Sequence, residues 1–281
     1  MKPPALPPAQ VAVATSSGPV RPDQYRHHLA RRTKGVTSPF EPDWLLQRHL
    51  VRDLSRALAS FAVGRVLDVG CGGRPYENRL PPGVRYVGVD VPASRASHPD
   101  TWALAERLPF AEGSYDLVLC TQVLEHLQDP AVATGEMARV LRPGGVLVLT
   151  APQTWCLHEE PFDFFRFTRF GLERLATGAG LDPIEVRPQG GFWAVAGISI
   201  IMQLGSYARW LGEQGAPTTS APQANEAVPG WRRLLWPLRA PMALFNLAFA
   251  ALDALPQPGA FAVNHMLVAR KPIGSVVRLA S

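Results

Sequence analysis

Two acidic residues and a glycine-rich turn are the first features of this sequence whose types and spacing could support chemistry. An apolar run at residues 65–69 contains Asp68 and leads into Gly70-Cys71-Gly72-Gly73, and a second run ends at Asp90, 20 positions after Gly70. A glycine-rich turn after a strand lets the backbone approach a ligand. An acidic residue ending the next strand can accept hydrogen bonds from two ribose hydroxyls. These residues predict a site for a ribose-containing cofactor, although a tight turn without a ligand would also explain the glycines.

A second set of ionisable residues follows two later apolar runs. Glu125-His126 comes after the run at 115–120, and the segment 158–168, HEEPFDFFRFT, follows the run at 145–150. Ionisable groups among aromatic residues in a loop are where substrate contacts and perturbed pKa values are expected. The candidate catalytic residues are therefore His126, His158 and Asp163.

The same residues also have structural interpretations, which the sequence leaves open. His126 could cap or pack its own helix. Asp163 could pair with Arg166, and Thr168 could be the N-cap of the helix that follows. Catalysis and structure are both compatible with this pattern.

The elements that must position these residues alternate along the chain. Apolar runs without polar alternation predict strands at residues 65–69, 86–90, 115–120 and 145–150, with two later strands at 184–187 and 260–270. Helical patterns lie at residues 42–61, 123–141 and 169–179. Strands of this kind are buried on both faces, so the fold class is α/β, with a mostly parallel sheet covered by helices.

Composition limits the remaining possibilities. The 281 residues, 47% hydrophobic and 18% charged, can form one main domain with an appendage. Much of the net charge of +5 comes from arginines near the N-terminus, so no nucleic-acid partner is expected. Three cysteines without a C-x-x-C pair indicate neither a disulfide framework nor a zinc site, and they fit a cytoplasmic protein.

Four groups of residues, taken in order, resemble the signatures of one family. These are VLDVGCG at 66–72, LPF at 108–110 with SYDLV at 114–118, VLEHL at 123–127, and RVLRPGG at 139–145. They resemble class I S-adenosylmethionine (SAM) dependent methyltransferases of type 11, over residues 65–181. The resemblance implies a Rossmann-like sheet with an antiparallel last strand, SAM as cofactor, and a small-molecule methyl acceptor, and the apolar insertion described below adds a lipid-linked acceptor as a candidate. Oxygen is the expected methylated atom, and nitrogen remains open.

The resemblance also implies roles for individual residues. Leu104 stands where many relatives have an aspartate, so recognition of adenine must depend on backbone groups or on Glu106. Pro75 argues against a dinucleotide, because a G-x-G-x-x-G turn would need glycine there. The implied cofactor-binding residues are Asp68, Gly70 and Gly72 at the methionine end, Asp90 at the ribose, and Ala105 and Glu106 at the adenine, together with Cys71, Val91 and Thr121.

Methyl transfer from a sulfonium makes modest demands on side chains. Alignment and exclusion of water are the main requirements. A base is needed only for an acceptor that holds its proton, such as a sugar hydroxyl. His158, Glu159 and Asp163 could surround a metal, but the reaction does not require one and no metal site is expected. The alternative to an enzyme is a SAM-binding regulatory or partner subunit without turnover.

About seventy residues separate the last two predicted strands, which indicates an insertion. We expect a disordered tail at 1–39, the methyltransferase core at 40–189, a helical insertion at 190–258, the last strand at 259–273, and a tail at 274–281. The insertion should contain two helices joined by a Pro-, Ala- and Thr-rich linker.

The insertion is compatible with three roles. It could cap the active site, form a homodimer surface, or make peripheral contact with the inner face of a membrane. A membrane-spanning helix is not expected, because residues 190–208 include several glycines and a glutamine.

Overall fold

The described part of the chain, residues 38–91, 98–214 and 239–274 of a computed structural model, is built on a seven-stranded sheet. Its strands are β1 Arg65–Val69, β2 Arg85–Asp90, β3 Thr101–Trp102, β4 Tyr115–Thr121, β5 Leu141–Pro152, β6 Asp182–Gln189 and β7 Asn264–Arg270. Its helices are α1 Trp44–Phe61, α2 Pro130–Val140, α3 Arg169–Gly178, α4 Phe192–Gln214 and α5 Arg239–Asp253, with short 3₁₀ turns at Glu77–Arg79 and Leu124–His126. Most of the expected N-terminal tail and the linker between α4 and α5 lie outside the described residues.

The strand order is β3-β2-β1-β4-β5-β7-β6. Strands β1 to β5 pair in parallel, whereas β7 runs antiparallel to both β5 and β6. This arrangement confirms the predicted α/β sheet with an antiparallel last strand. The chain order reverses between β1 and β4, and ligands of open α/β sheets bind at the carboxyl ends of the strands at such a point.

Both faces of the sheet are buried, which explains the strands without polar alternation. On one face Leu67, Val118 and Leu147 belong to the core beneath α2 and α3. Their neighbours Val66 and Leu117 belong to a second core, which α1 covers. Successive side chains of a strand point to opposite faces, so every position here has apolar surroundings.

The predicted helix at 123–141 is wrong in its first part. A 3₁₀ turn at Leu124–His126 comes first, and α2 begins at Pro130 after Asp129. The Asp129 carboxylate accepts from Ala131 N and Val132 N, at 3.1 and 3.0 Å. An aspartate N-cap followed by proline at the first position starts a new helix, and proline lacks the N–H needed to continue an old one.

Other predicted boundaries differ by a few residues. The strand expected at 145–150 extends to Leu141–Pro152, and the one expected at 260–270 begins at Asn264, where pairing with Pro152 and Gln189 starts. Strand β3 was not predicted, because two residues are too few to form a pattern. Pro39, in the tail expected to be disordered, is described, and its carbonyl accepts a 2.7 Å hydrogen bond from Asn246.

The insertion before the last strand is helical, as expected. Helices α4 and α5 pack on the start of α1 through a small apolar core that includes Leu45, Ile198 and Ala250. At the end of α5, Asp253 accepts hydrogen bonds from the backbone N–H groups of Gly191 and Ala194 at the start of α4. Within the described ranges, none of the helices has the length and apolar character needed to cross a membrane.

Candidate active site

The glycine-rich turn after β1 is attached to the end of β2. Gly70 N and Cys71 N both donate to the Val89 carbonyl, at 2.8 and 3.1 Å. Gly70 has a φ of +73°, and a Cβ there would lie 2.3 Å from Cγ2 of Val123. Only glycine fits this position, since the turn has left-handed geometry and passes directly against the loop after β4.

Asp90 fixes the other side of the turn. Its Oδ2 accepts a 2.9 Å hydrogen bond from Gly72 N, and its Oδ1 accepts a 2.7 Å bond from Val91 N. Burial raises the pKa of the carboxyl, while these two backbone hydrogen bonds lower it. A carboxylate oxygen can accept more than one hydrogen bond, so the held group can still receive ribose hydroxyls.

Asp68, near the end of β1, is a buried carboxylate with one unsatisfied oxygen. Its residue is 1% exposed, Oδ2 accepts a 2.7 Å hydrogen bond from the Tyr86 hydroxyl, and Oδ1 has no hydrogen-bond partner among the described residues. Burial raises its pKa to about 7, against the opposing effect of the Tyr86 hydrogen bond. An ammonium group would supply the missing donors, so this residue fits the amino-acid end of SAM.

Two tyrosines lie near Asp68, the buried Tyr76 and the half-buried Tyr86, and the sequence analysis gave neither a role. Tyr86 lies on β2, and burial together with the nearby Asp68 carboxylate raises the pKa of Tyr76. Both look like ordinary strand or core tyrosines in the sequence. Their proximity to Asp68 depends on the tertiary fold, which the sequence pattern does not reveal.

Arg74 follows the glycine-rich turn in a left-handed backbone conformation. It has a φ of 58°, and its guanidinium lies 4.6 Å from the centroid of the Tyr86 ring. Its side chain also forms ion pairs with Glu77 at 3.0 Å and Asp100 at 3.2 Å. Arg74 therefore covers the ring whose hydroxyl binds Asp68.

The segment implied for adenine lies next to Asp90. Ala103 N donates to the Asp90 carbonyl at 3.0 Å. Ala105 is buried, Leu104 is 39% exposed, and burial raises the pKa of Glu106. Glu106 is thus a partly buried carboxyl, and its contact with the base stays a prediction.

The three candidate catalytic residues form one cluster beyond β4 and β5. His126 Nδ1 lies 2.6 Å from the Phe162 carbonyl, so this nitrogen carries the proton and donates. The centroids of the His126 and His158 rings are 4.9 Å apart. Burial lowers the pKa of His126 to about 4, and the ring is therefore neutral near pH 7. His126 therefore packs in the loop through Nδ1, as one interpretation of the sequence expected, and its other ring nitrogen, Nε2, faces the cluster.

Asp163 connects His158 to Arg166. It accepts a 3.0 Å bond from His158 N, lies 3.2 Å from His158 Nδ1, and receives two bonds from Arg166 at 2.6 and 2.7 Å. Burial alone would raise the pKa of Asp163, but the Arg166 and His158 hydrogen bonds hold it below its usual value. The predicted ion pair and the predicted Thr168 cap, which accepts from Gly171 N at 3.2 Å, are both confirmed. Asp163 is therefore better suited to orienting His158 than to accepting a proton.

Glu125 belongs to this cluster, although our list of candidate site residues omitted it. It is 0% exposed, and neither carboxylate oxygen has a hydrogen-bond partner among the described residues. Burial raises its pKa to about 8. Its carbonyl accepts from Phe164 N and Phe165 N, which holds the 158–167 loop against the end of β4. An acidic residue beside a histidine in apolar sequence was the signal that could have identified it.

A cavity of about 300 Å³ lies between the loop after β5 and helix α4. Trp155, Ile198 and Met202 give it apolar walls, and Ser199 and Gln203 give it polar ones. Cys156 also lines the cavity, and its carbonyl accepts from Arg166, so the cavity adjoins the loop that carries His158.

Comparison with known proteins agrees with this geometry. A family described as a methyltransferase domain matches residues 45–215. An uncharacterized methyltransferase of Mycobacterium sp. (strain JLS) is 38% identical over 115 residues, which cover 36% of this chain and 44% of the relative. A ubiquinone biosynthesis O-methyltransferase of Ralstonia nicotianae is 30% identical over 191 residues, which cover 57% of this chain and 79% of the relative. Among solved structures, the cyclase SpnF gives a TM-score of 0.49 at 21% identity, covering 88% of this chain and 87% of SpnF.

The chain therefore belongs to the methyltransferase-domain family, and it is a class I SAM-dependent methyltransferase by family. Its cofactor is SAM. The matched region spans less than half the length of the mycobacterial relative. The unsatisfied oxygen of Asp68 fits the ammonium group of SAM, and the carboxylate of Asp90 fits its ribose hydroxyls.

Proposed function

We propose that this chain transfers the methyl group of SAM to a hydroxyl oxygen of a small or lipid-linked acceptor. The observation that carries the proposal is the buried Asp68 carboxylate with one unsatisfied oxygen, beside a turn that only glycine can form. SAM supplies a methyl group already activated on a sulfonium, so alignment of the acceptor oxygen is the main task left to the protein.

The residues of the turn hold the cofactor in a fixed orientation. Asp68 binds the ammonium group, the backbone of Gly70 and Gly72 lies along the amino-acid portion, and Asp90 accepts from the ribose hydroxyls. Because Asp90 is itself held by two backbone N–H groups, its carboxylate loses little freedom on binding.

In the proposal, the acceptor enters beside the cluster of His126 and His158. Val123 packs on Gly70, and Glu125 and His126 follow Val123 directly in the 3₁₀ turn. The Phe162 carbonyl holds the Nδ1 proton of His126, so the lone pair of the neutral ring is on Nε2, directed into the cluster where an acceptor hydroxyl would lie. The Ralstonia relative named as an O-methyltransferase supports oxygen as the methylated atom.

An apolar acceptor is supported by the surface of α4. Ile200, Leu204 and Tyr207 are exposed on this helix, and the 300 Å³ cavity lies along its side facing Trp155. In the proposal, the insertion receives the apolar part of the acceptor, and the chain works in the cytoplasm at the inner face of a membrane.

The test measures cofactor binding and methyl transfer separately. Calorimetric titration with SAM should give micromolar affinity that falls at least tenfold in Asp90→Asn, while Asp182→Asn, an exposed carboxylate on β6, should bind like wild type. Methyl-labelled SAM is then offered with phenols, sugars, amines and lipid-linked phenols in detergent. Label on a hydroxyl compound supports the proposal. Label on amines alone, or tight SAM binding without transfer to any of these classes, contradicts it, and the second result would favour the non-catalytic partner subunit.

A further inference from the structure

The cluster of Glu125, His126 and His158 contains an arrangement that methyl transfer does not explain. One ligand atom from each residue lies within 4.8 Å of the other two. Glu125 is completely buried, and both of its oxygens lack a hydrogen-bond partner among the described residues. A buried carboxylate without donors is costly, and either a proton or a cation must compensate for it.

The hydrogen bond of His126 selects the nitrogen that faces Glu125. Because Nδ1 donates to the Phe162 carbonyl, the lone pair of the neutral ring is on Nε2. Nε2 lies 3.8 Å from Glu125 Oε1 and 3.6 Å from Glu159 Oε2. Two carboxylate oxygens thus lie near the Nε2 lone pair, each at a distance too long for a hydrogen bond to it.

His158 is held in the way that metal-binding histidines usually are. Its Nδ1 lies 3.2 Å from Asp163 Oδ2, and Arg166 fixes the Asp163 carboxylate through two hydrogen bonds. A carboxylate that orients a histidine in this manner also makes the imidazole a better ligand. The cluster therefore has both the ligand atoms of a metal site and the outer residues that orient them.

We propose that Glu125, His126 and His158 bind a divalent transition-metal ion of the zinc type. Two imidazoles and one carboxylate are the donors found in catalytic zinc sites, whereas Mg²⁺ prefers oxygen ligands. Ligands around a tetrahedral ion are about 3.5 Å apart for metal–ligand distances of about 2.1 Å. The cluster thus needs to contract by about 1 Å when the ion binds. Glu159, whose Oε2 lies 3.6 Å from His126 Nε2, is close enough to accept a hydrogen bond from a water bound to the ion.

The role of such an ion rests on the proposed function. With three protein ligands, one position is open to the acceptor hydroxyl. Binding there weakens the O–H bond, and the proton passes to solvent as the oxygen binds the ion. The oxygen then forms its bond to the methyl carbon while the carbon–sulfur bond breaks, leaving its electron pair on sulfur. S-adenosylhomocysteine and the methyl ether are the products, so atoms and charges balance.

Metal binding is tested directly on untagged, full-length protein that has been treated with a chelator. Equilibrium dialysis against Zn²⁺, and separately against Mg²⁺, is followed by elemental analysis. We expect one Zn²⁺ per chain at micromolar free concentration and no retained Mg²⁺. Glu125→Gln keeps the size of the side chain, and it should weaken Zn²⁺ binding at least tenfold, as should His158→Ala. Glu160→Gln, an exposed acid in the same loop, should bind like wild type.

Folding and function are followed in the same samples, so that each failure has its own signature. Circular dichroism shows whether each variant is folded, and the Co²⁺-substituted protein should lose its imidazole-dependent visible spectrum in His158→Ala. No zinc in the wild type, or equal zinc in wild type and Glu125→Gln, would overturn the site. Bound zinc without methyl transfer to any acceptor supports the metal site and contradicts the proposed function. Methyl transfer to a hydroxyl by a protein that binds no zinc supports the proposed function and contradicts the metal site.

Discussion

Tyr86 on β2 donates a 2.7 Å hydrogen bond to Asp68 on β1, so the charge of the candidate ammonium site depends on a neighbouring strand. In the parallel pair, Asp68 lies opposite Gly88, two residues after Tyr86 and on the same face. A Cβ at Gly88 would lie 2.8 Å from Cys71 Sγ, so the glycine lets the turn approach the strand. The candidate ammonium site is therefore built from β1, β2 and the glycine-rich turn that follows β1.

Replacing Tyr86 by phenylalanine should weaken SAM binding. The change removes the hydrogen bond that opposes the effect of burial on Asp68, so the pKa of Asp68 should rise further. A smaller fraction of the carboxyl is then ionised at pH 7, and affinity should fall about five- to tenfold. Calorimetric titration at pH 7 and pH 8.5 measures the loss, which should be smaller at the higher pH.

The control for this variant is Tyr207→Phe, at an exposed tyrosine of α4. It removes the same hydroxyl far from Asp68 and should leave SAM affinity unchanged. Equal affinity for Tyr86→Phe and wild type at pH 7 would show that Asp68 does not bind the ammonium group.

The stability of the ligand-free protein should depend on pH through Asp68. Its folded-state pKa is about 7, above the ordinary value of 3.8, chiefly because of burial. The folded state therefore holds its proton more tightly than the unfolded state does. The associated stability is complete below about pH 4 and is lost as pH rises through about 7. Urea unfolding between pH 4 and pH 8 measures this decline.

Asp68→Asn separates this contribution from the other titrations. The amide stays neutral, so the variant should unfold with a flatter pH dependence and should be more stable than wild type at pH 8 by a few kcal/mol. It should also fail to bind SAM tightly at any pH. Parallel pH curves for the two proteins would contradict the assignment.

Most of the fold could be predicted from the sequence, because it depends on local patterns. Unalternating apolar runs indicate strands buried on both faces, and the turn at Gly70 is recognised by composition alone. The wrong helix start at 123 has a local cause as well, since Asp129-Pro130 is a visible signal for a new helix. Asp68, Gly70 and Asp90 could likewise be selected as candidates because they lie at strand ends, whereas the other proposed cofactor residues came from the family resemblance.

The rest of the site depends on residues that are far apart in the chain. Gln122 donates to Asn264, Asn264 donates to Gln189, and Gln189 donates to Asp53, which forms a buried polar chain across the sheet. Each pair is separated by at least 75 positions. No periodicity reports such contacts, and the same holds for Tyr86 with Asp68 and for Glu125 with His158. Burial of these polar groups could be recognised only after the strands were placed.

Gly70→Ala should lower the free energy of unfolding by more than the cost of an alanine at a positive φ, because the added Cβ also clashes with Val123. The added Cβ would lie 2.3 Å from Val123 Cγ2, and φ at this position is +73°. Gly83→Ala is the matched control, because it has a φ of +84° with nothing within 4 Å of the new Cβ. Gly83→Ala should cost about 1 kcal/mol, and Gly70→Ala at least about 2 kcal/mol more, with loss of SAM binding.

The contact with Val123 can be isolated with a double variant. Val123→Ala removes the clashing methyl group, so adding it to Gly70→Ala should recover part of the stability measured by urea unfolding. Additive losses in the two variants would mean that the turn does not press against the loop after β4.

Asp253, at the end of α5, links the two helices of the insertion to each other and to α1. Its Oδ1 accepts from Gly191 N and Ala194 N at 2.9 and 3.0 Å, and its Oδ2 lies 3.2 Å from His49 Nε2 on α1. Burial would raise its pKa, but the adjacent His49 ring and the hydrogen bonds from Gln257 and the two N–H groups lower it to about 2. A depressed pKa means that this stabilisation is present above about pH 4 and is lost as pH falls through about 2.

Asp253→Asn should therefore lower the free energy of unfolding at pH 7 by about 2 kcal/mol, and the difference from wild type should shrink as pH falls below 4. Asp182→Asn makes the same charge change on an exposed residue and should cost less than about 0.5 kcal/mol. Chemical unfolding at pH 7 and pH 3 measures both. Since α4 also lines the proposed acceptor cavity, Asp253→Asn should raise the KM for the acceptor more than the Kd for SAM. Equal effects on the two ligands would show that the insertion does not contribute to acceptor binding.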